Sequence, residues 1–207
     1  MKDSKTVKEG YFAEMFVSSA KNLSRITTLT TSGLLIAMAI ALRATAVQIS
    51  PDARVTVQFL PLCIIALLFG PVVSMMGAFA TDLIGFMIDS TGQAYLPWLT
   101  VSAVLAGLIY GIFLYRKNTD FVISISAITA RITVVLLCSI CLNSYVFFAM
   151  RFPGYNIFTE ENGIAFFIAQ SSIRIGRSLL MLPIDLALLC VILPLANAAY
   201  RRVKKNF

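Results

Sequence analysis

Asp82 is the one charged residue between positions 59 and 88, a stretch otherwise almost unbroken hydrocarbon. A carboxylate in such surroundings is costly unless it faces a cation, a ligand or a wet cavity. It can accept hydrogen bonds from the N–H groups of a ligand ring, or pair with an arginine, for which Arg131, Arg174 and Arg177 are the candidates. Arg174 and Arg177 stand three apart, on one face of a helix. There they can grip a carboxylate bidentately or snorkel to lipid headgroups. Asp185, just after Pro183, reads as a member of a structural pair. Asn143, Gln93, Tyr95 and Trp98 offer hydrogen bonds and flat faces suited to a stacked heterocycle, although Trp and Tyr are also ordinary anchors at a membrane boundary. Arg43 and Arg54 flank a polar loop and lend positive potential to an access path.

Catalytic constellations are missing. The chain has no histidine, which removes imidazole bases, relays and metal ligands together. It contains no H-E-x-x-H, G-x-S-x-G or phosphate-loop lysine pattern and no paired acidic cluster of metal-binding type. Of the four cysteines, Cys138 and Cys141 form a C-x-x-C inside an apolar run, where they read as two small apolar residues on one helix face. No cofactor is expected.

The elements that position these residues are membrane helices. Hydrophobic residues make up 58% of the chain and charged ones only 13%, a balance no ordinary soluble domain of 207 residues shows. The run 59–88 is too long for one crossing, since about 20 residues span a ~30 Å core. Folded at Gly70-Pro71 it makes two short helices. Crossings are expected at about 28–47, 57–69, 72–88 and 97–115, with a fifth within 122–150 and a last within 172–200. The expected fold is all-α, a polytopic membrane protein of six helices. Loops at 48–56, 89–96 and 151–162 fall on one side, and their polar and aromatic residues suggest a lidded pocket there.

Three blocks organise the chain: an N-terminal interfacial segment 1–27, a membrane domain 28–200 and a basic tail 201–207. Tyr11, Phe12, Met15 and Phe16 share one side of a helix in the first block, as in a helix lying on a membrane. Lys2, Lys5, Lys8, Lys21, Arg25, Arg116, Lys117, Arg201, Arg202, Lys204 and Lys205 all fall on the side opposite the polar loops. Positive charge is retained inside, so both termini are expected in the cytoplasm, and the basic clusters are topology signals and not a nucleic-acid site. Gly33, Ala37 and Ala41 repeat at four-residue spacing on the first crossing, a ridge that lets another helix approach closely, in this bundle or in a partner.

Several segments in order resemble the substrate-binding (S) components of energy-coupling factor (ECF) vitamin transporters, most of all their folate-type group. They are Phe59-Leu60-Pro61-Leu62, Leu68-Phe69-Gly70-Pro71, Asp82-Leu83-Ile84-Gly85, Ser90-Thr91-Gly92, the run from Leu105 to Tyr115, and Arg174 to Asp185 with Leu180-Met181-Leu182-Pro183-Ile184. Two positions depart from that group's pattern. Trp98 follows Pro97 where a Pro-Gly-Phe is common, and Asp185 follows Pro183-Ile184 where a glutamine is frequent.

The resemblance implies a binding subunit, not an enzyme, that takes a vitamin from outside. It would dock through Gly33, Ala37 and Ala41 on a transmembrane coupling protein (T component) carrying two ATPase subunits, which use the ATP. The expected location is the bacterial cytoplasmic membrane. The pocket would be capped by the first and third loops, which adds Gln58 to Arg54, Gln93, Tyr95 and Trp98. Folate is the favoured ligand: Asp82 or Asn143 would read its pterin edge, Tyr95 or Trp98 would stack, and Arg54, Arg174 or Arg177 would meet its carboxylate tail. The alternatives are another carboxylate vitamin such as pantothenate, an intramembrane enzyme built on Asp82 and Asp185, or a membrane scaffold.

Overall fold

A computed structural model describes residues 3–45, 47–50, 53–55, 57–88, 95–116, 119–151 and 163–206. Among them the chain is helical apart from one small hairpin. Helix α1 is Asp3–Leu23 and α2 is Ile26–Ala44. The hairpin pairs β1, Val47–Ser50, with β2, Ala53–Val55, antiparallel, matching Gln48 with Arg54 and Ser50 with Ala53. Then come α3, Phe59–Phe69, α4, Pro71–Ile88, and α5, Pro97–Leu114. The next segment is α6, Asp120–Val134, continuing through a π-helical stretch, Val135–Asn143, into α7, Ser144–Arg151. The last helix, α8, is Gly163–Asn206 and carries Pro183 and Pro194 inside it.

Five helical stretches are long and apolar enough to cross a membrane: Ile26–Ala44, Pro71–Ile88, Pro97–Leu114, Phe121–Val146 and Ser178–Arg202. At most 39% of any of these windows is buried inside the protein. Side chains such as Leu34, Met87, Leu180 and Leu195 stand outward, a surface suited to lipid and not to water. The chain is therefore a multi-pass membrane protein.

The expected crossing at 57–69 is different. Helix α3 has 11 residues and rises only about 16 Å, half a hydrocarbon core. Nine of those 11 side chains are buried, so it is apolar all round because it fills the centre of the bundle. Leu60, Cys63 and Leu67 pack there with Leu114 of α5, Ala127 of α6 and Leu189 of α8. The expected loop at 48–56 likewise contains the hairpin. The loops expected at 89–96 and 151–162 lie for the most part outside the described residues.

At one end of the bundle the chain turns from α3 to α4 at Gly70, whose φ of +92° is left-handed. Helix α1 closes over this turn. The Ser19 hydroxyl donates to the Phe69 carbonyl at 2.8 Å and accepts from the Val72 N–H at 3.0 Å, so it caps the end of α3 and the start of α4 together. Met15 of α1 is buried within the protein and Phe16 is half-buried, while the side chains of Tyr11 and Phe12 lie outside the described residues. Helices α4 and α5 touch backbone to backbone. A Cβ on Gly111 would stand 2.2 Å from the Pro71 Cα, and one on Gly107 would stand 2.8 Å from the Ser74 carbonyl oxygen.

Candidate functional site

At the opposite end, α2 and α4 finish, the hairpin stands and α5 begins. The Asp82 carboxylate is held there on both oxygens. Arg43, near the last residue of α2, places Nη1 3.1 Å from Oδ1. Thr100, in the first turn of α5, donates its hydroxyl to Oδ2 at 2.6 Å. The one Thr100 proton is thereby used, so the Tyr95 hydroxyl, 2.5 Å away, is the donor to Thr100. The Tyr95 ring leans on Phe86, with centroids 5.1 Å apart. Held on both oxygens, the carboxylate still has lone pairs free to accept from a further donor beside it.

Among the described residues Asp82 thus pairs with Arg43 and not with Arg131, which is engaged elsewhere; the side chains of Arg174 and Arg177 lie outside the described residues. By sequence Arg43 offers only positive potential along an access path. It reaches Asp82 because α4 offers Gly85 one turn further on, where a Cβ would stand 2.8 Å from the Arg43 Cδ. Sequence spacing carries no trace of this, because it depends on which helix lies beside which.

Arg131 belongs to a second cluster. Its Nε and Nη2 both engage Asp185 Oδ2, at 3.2 and 2.5 Å, and its Nη1 donates to the Tyr110 hydroxyl at 2.9 Å. The guanidinium carbon lies 4.0 Å from the ring centroid of Phe59, the first residue of α3. One cation thereby ties α3, α5, α6 and α8. The reading of Asp185 as a structural pair member holds, and Tyr110 is a participant that sequence reasoning missed.

The other expected residues divide as follows. Tyr95 is in the Asp82 cluster, whereas Trp98 is 66% exposed on the first turn of α5. Asn143 ends the π-helical stretch and is half-buried, and Gln58 is half-buried just before α3. Arg54 lies in β2 and Arg174 and Arg177 in α8, but their side chains, and all of Gln93, lie outside the described residues. Gly33, Ala37 and Ala41 are all exposed on α2. Among the described residues no three His, Cys, Asp or Glu side chains gather as metal ligands.

A bundle of lipid-facing helices with a charged, hydrogen-bonded cluster at one end defines a multi-pass membrane protein with a candidate polar site. Residues 27–193 match a family profile described as "ECF transporter, substrate-specific component", and the chain belongs to that family. It is accordingly a binding component of a transporter and not an enzyme.

A curated relative, "Folate transporter FolT" of Clostridium novyi (strain NT), is 34% identical over 71 residues. That match takes in 34% of this chain and 41% of the relative, so it spans about two fifths of that protein's length. A solved structure, "Crystal structure of FolT bound with folic acid", superimposes with a TM-score of 0.65 at 23% identity, over 81% of this chain and 91% of that one. The likeness is one of fold.

Proposed function

We propose that this chain captures folate from outside the bacterial cytoplasmic membrane and delivers it inward through an ATP-driven coupling module. The observation that carries the reading is the Asp82 carboxylate, fixed by Arg43 of α2 and Thr100 at the start of α5. A carboxylate so held accepts from paired N–H donors, and a pterin offers such donors along one edge. Asn143 supplies a further donor and acceptor. Tyr95 or Trp98 stacks on the ring, and Arg54, Arg174 or Arg177 meets the glutamate tail, with Gln58 and Gln93 completing the walls. The relative named a folate transporter and the fold shared with a folic-acid complex support the ligand.

In this reading the bundle counts as six helices with α3 as the sixth, the Asp82 end faces outward, and both termini lie in the cytoplasm with segments 1–27 and 201–207. The basic residues near both termini and at Arg116 support that orientation. Gly33, Ala37 and Ala41 form the docking ridge for a coupling protein that carries two ATPase subunits, while the chain itself needs no cofactor.

The test is titration of the purified chain in detergent with folate, 5-formyltetrahydrofolate and pantothenate, followed by heat release and by fluorescence of Trp98, the single tryptophan. One-to-one folate binding without ATP is expected. Binding of pantothenate alone would keep the class and replace the ligand, and silence toward all three would remove the folate assignment.

A further inference from the structure

One turn of α1 grips the feet of two helices at once. Ser18, Ser19 and Asn22 share a face of that helix. Ser19 and Asn22 hold the turn from α3 to α4. The fully buried Ser19 hydroxyl donates to the Phe69 carbonyl and accepts from the Val72 N–H, and Asn22 Nδ2 donates to the same carbonyl at 3.4 Å. Ser18 and Asn22 hold the foot of α5, where the Tyr115 hydroxyl lies 3.0 Å from Ser18 Oγ and 3.5 Å from Asn22 Nδ2. Tyr115 closes α5 and is itself buried. The fit is tight, since a Cβ on Gly70 would stand 2.8 Å from Ser19 Oγ and 3.1 Å from the Tyr115 ring. Helix α1 lies ahead of residues 27–193, the part of the chain that carries the family match.

The two feet belong to the helices that hold the polar site at the other end. Asp82 stands on α4 and Thr100 on α5, and their 2.6 Å hydrogen bond crosses between the two. Those helices press closest at Pro71 and Gly111, beside the grip. At 1.5 Å per residue, Tyr115 lies about 6 Å from Gly111 in one direction along α5 and Thr100 about 16 Å in the other. Helix α5 is thus a lever whose short arm is in the grip. A slip of about 1 Å at Tyr115 swings Thr100 by about 2–3 Å. A hydrogen bond stretched past about 3.5 Å is lost, so a swing of that size frees Asp82 from Thr100.

We infer that Ser18, Ser19 and Asn22 of α1, with Tyr115, are positioning residues for the ligand site: they fix how α4 and α5 cross, and through that crossing the hold of Thr100 on Asp82. This deepens the folate-binding reading and rests on it for the nature of the ligand. None of the four residues touches ligand in this account.

The experiment uses the full chain in detergent and compares Ser18→Ala, Ser19→Ala and Tyr115→Phe with wild type. Two readouts are taken at the Asp82 end. One is folate affinity by calorimetry. The other, without folate, is the emission of Trp98, the single tryptophan, which stands in the first turn of α5 just before Thr100. Each variant should shift that emission and weaken folate binding by about threefold to tenfold, part of what a hydrogen bond to a carboxylate is worth. Adding Ser18→Ala to Tyr115→Phe should change nothing further, because the hydroxyl that Ser18 meets is already gone. The deciding comparison is made in Thr100→Val, which cannot donate to Asp82. There Tyr115→Phe should leave both readouts where Thr100→Val alone puts them.

Melting of the folate-free protein is followed in parallel. Lower melting temperatures with Trp98 emission and folate affinity as in wild type would confine α1 to sealing the bundle end and overturn the inference. Effects of Tyr115→Phe that persist undiminished in Thr100→Val would overturn it as well. Should Ser19→Ala fail to fold, Ser18→Ala and Tyr115→Phe decide by the same criteria. If the wild-type chain binds no folate, the ligand reading fails instead, and Trp98 decides the positioning by itself. An emission shift in Tyr115→Phe that vanishes in Thr100→Val then supports it, and wild-type emission overturns it.

Discussion

The Arg43 side chain lies in the space that a side chain on Gly85 would take. A Cβ there would stand 2.8 Å from its Cδ, 3.1 Å from Nη1 and 3.2 Å from Nε. All three atoms belong to the flexible far part of Arg43, so an added methyl group is accommodated by moving the arginine and not the helix. The cost of that movement falls on Asp82.

Gly85→Ala is therefore expected to leave the bundle folded and to separate Arg43 from Asp82. A hydrogen bond to a charged partner contributes about 1.5–3 kcal/mol. Folate affinity measured by calorimetry should fall by about tenfold or more, with a melting temperature close to wild type. An unchanged affinity would mean that the Arg43–Asp82 pair plays no part in holding ligand.

The Arg131–Asp185 pair makes a different prediction, because both side chains lie among four helices. Asp185→Leu leaves an uncompensated guanidinium in the bundle, a loss of about 3–5 kcal/mol for a buried pair. Joint replacement by Arg131→Met with Asp185→Leu removes both charges at similar volume and should recover most of that loss. Thermal unfolding of the three chains in one detergent tests this. A double variant no more stable than Asp185→Leu would show that the cation's contacts with Tyr110 and Phe59, not its pairing with Asp185, carry the stability.

Contact between α4 and α5 sets a third expectation. A Cβ on Gly111 would overlap the Pro71 Cα at 2.2 Å, an atom of the backbone that cannot swing aside. Gly111→Ala must push the helices apart and should cost at least the 1–3 kcal/mol or so typical of overpacking. Because Thr100 reaches Asp82 across this same helix pair, ligand affinity should fall along with the melting temperature. A variant that melts like wild type would contradict the close crossing.

Much of this architecture is legible in the amino acids and some is not. The turn at Gly70-Pro71, the helical N-terminal segment and most of the apolar spans follow from turn chemistry and hydropathy, which are local. Helix α3 reads as a crossing because hydropathy cannot tell a lipid-facing helix from one apolar all round at the centre of a bundle. The π-helical turn that carries Asn143 has no composition of its own. Pairing is the least legible: Asp82 announces itself as a carboxylate needing a partner, yet the choice of Arg43 over Arg131 depends on Gly85 and on which helices are neighbours. Thr100 and Tyr110, ordinary residues in sequence, acquire their roles only from that arrangement.

Substitutions on the α2 ridge should separate binding from transport. Gly33, Ala37 and Ala41 share one face of the helix and all three are exposed, and a Cβ on Gly33 would meet nothing within 4 Å. With these positions exposed, Gly33→Leu, Ala37→Leu and Ala41→Leu should each fold normally and bind folate as the wild type does. A ridge of small side chains matters to a second helix that must approach closely, and leucines there hold such a helix away. Co-purification with the coupling protein, and folate uptake by cells that depend on it, should therefore fall while binding by the isolated chain is retained. Uptake and co-purification unchanged across all three substitutions would move the docking surface off α2. Loss of folate binding by the isolated chain would instead show that the ridge packs within the bundle, against the exposure seen here.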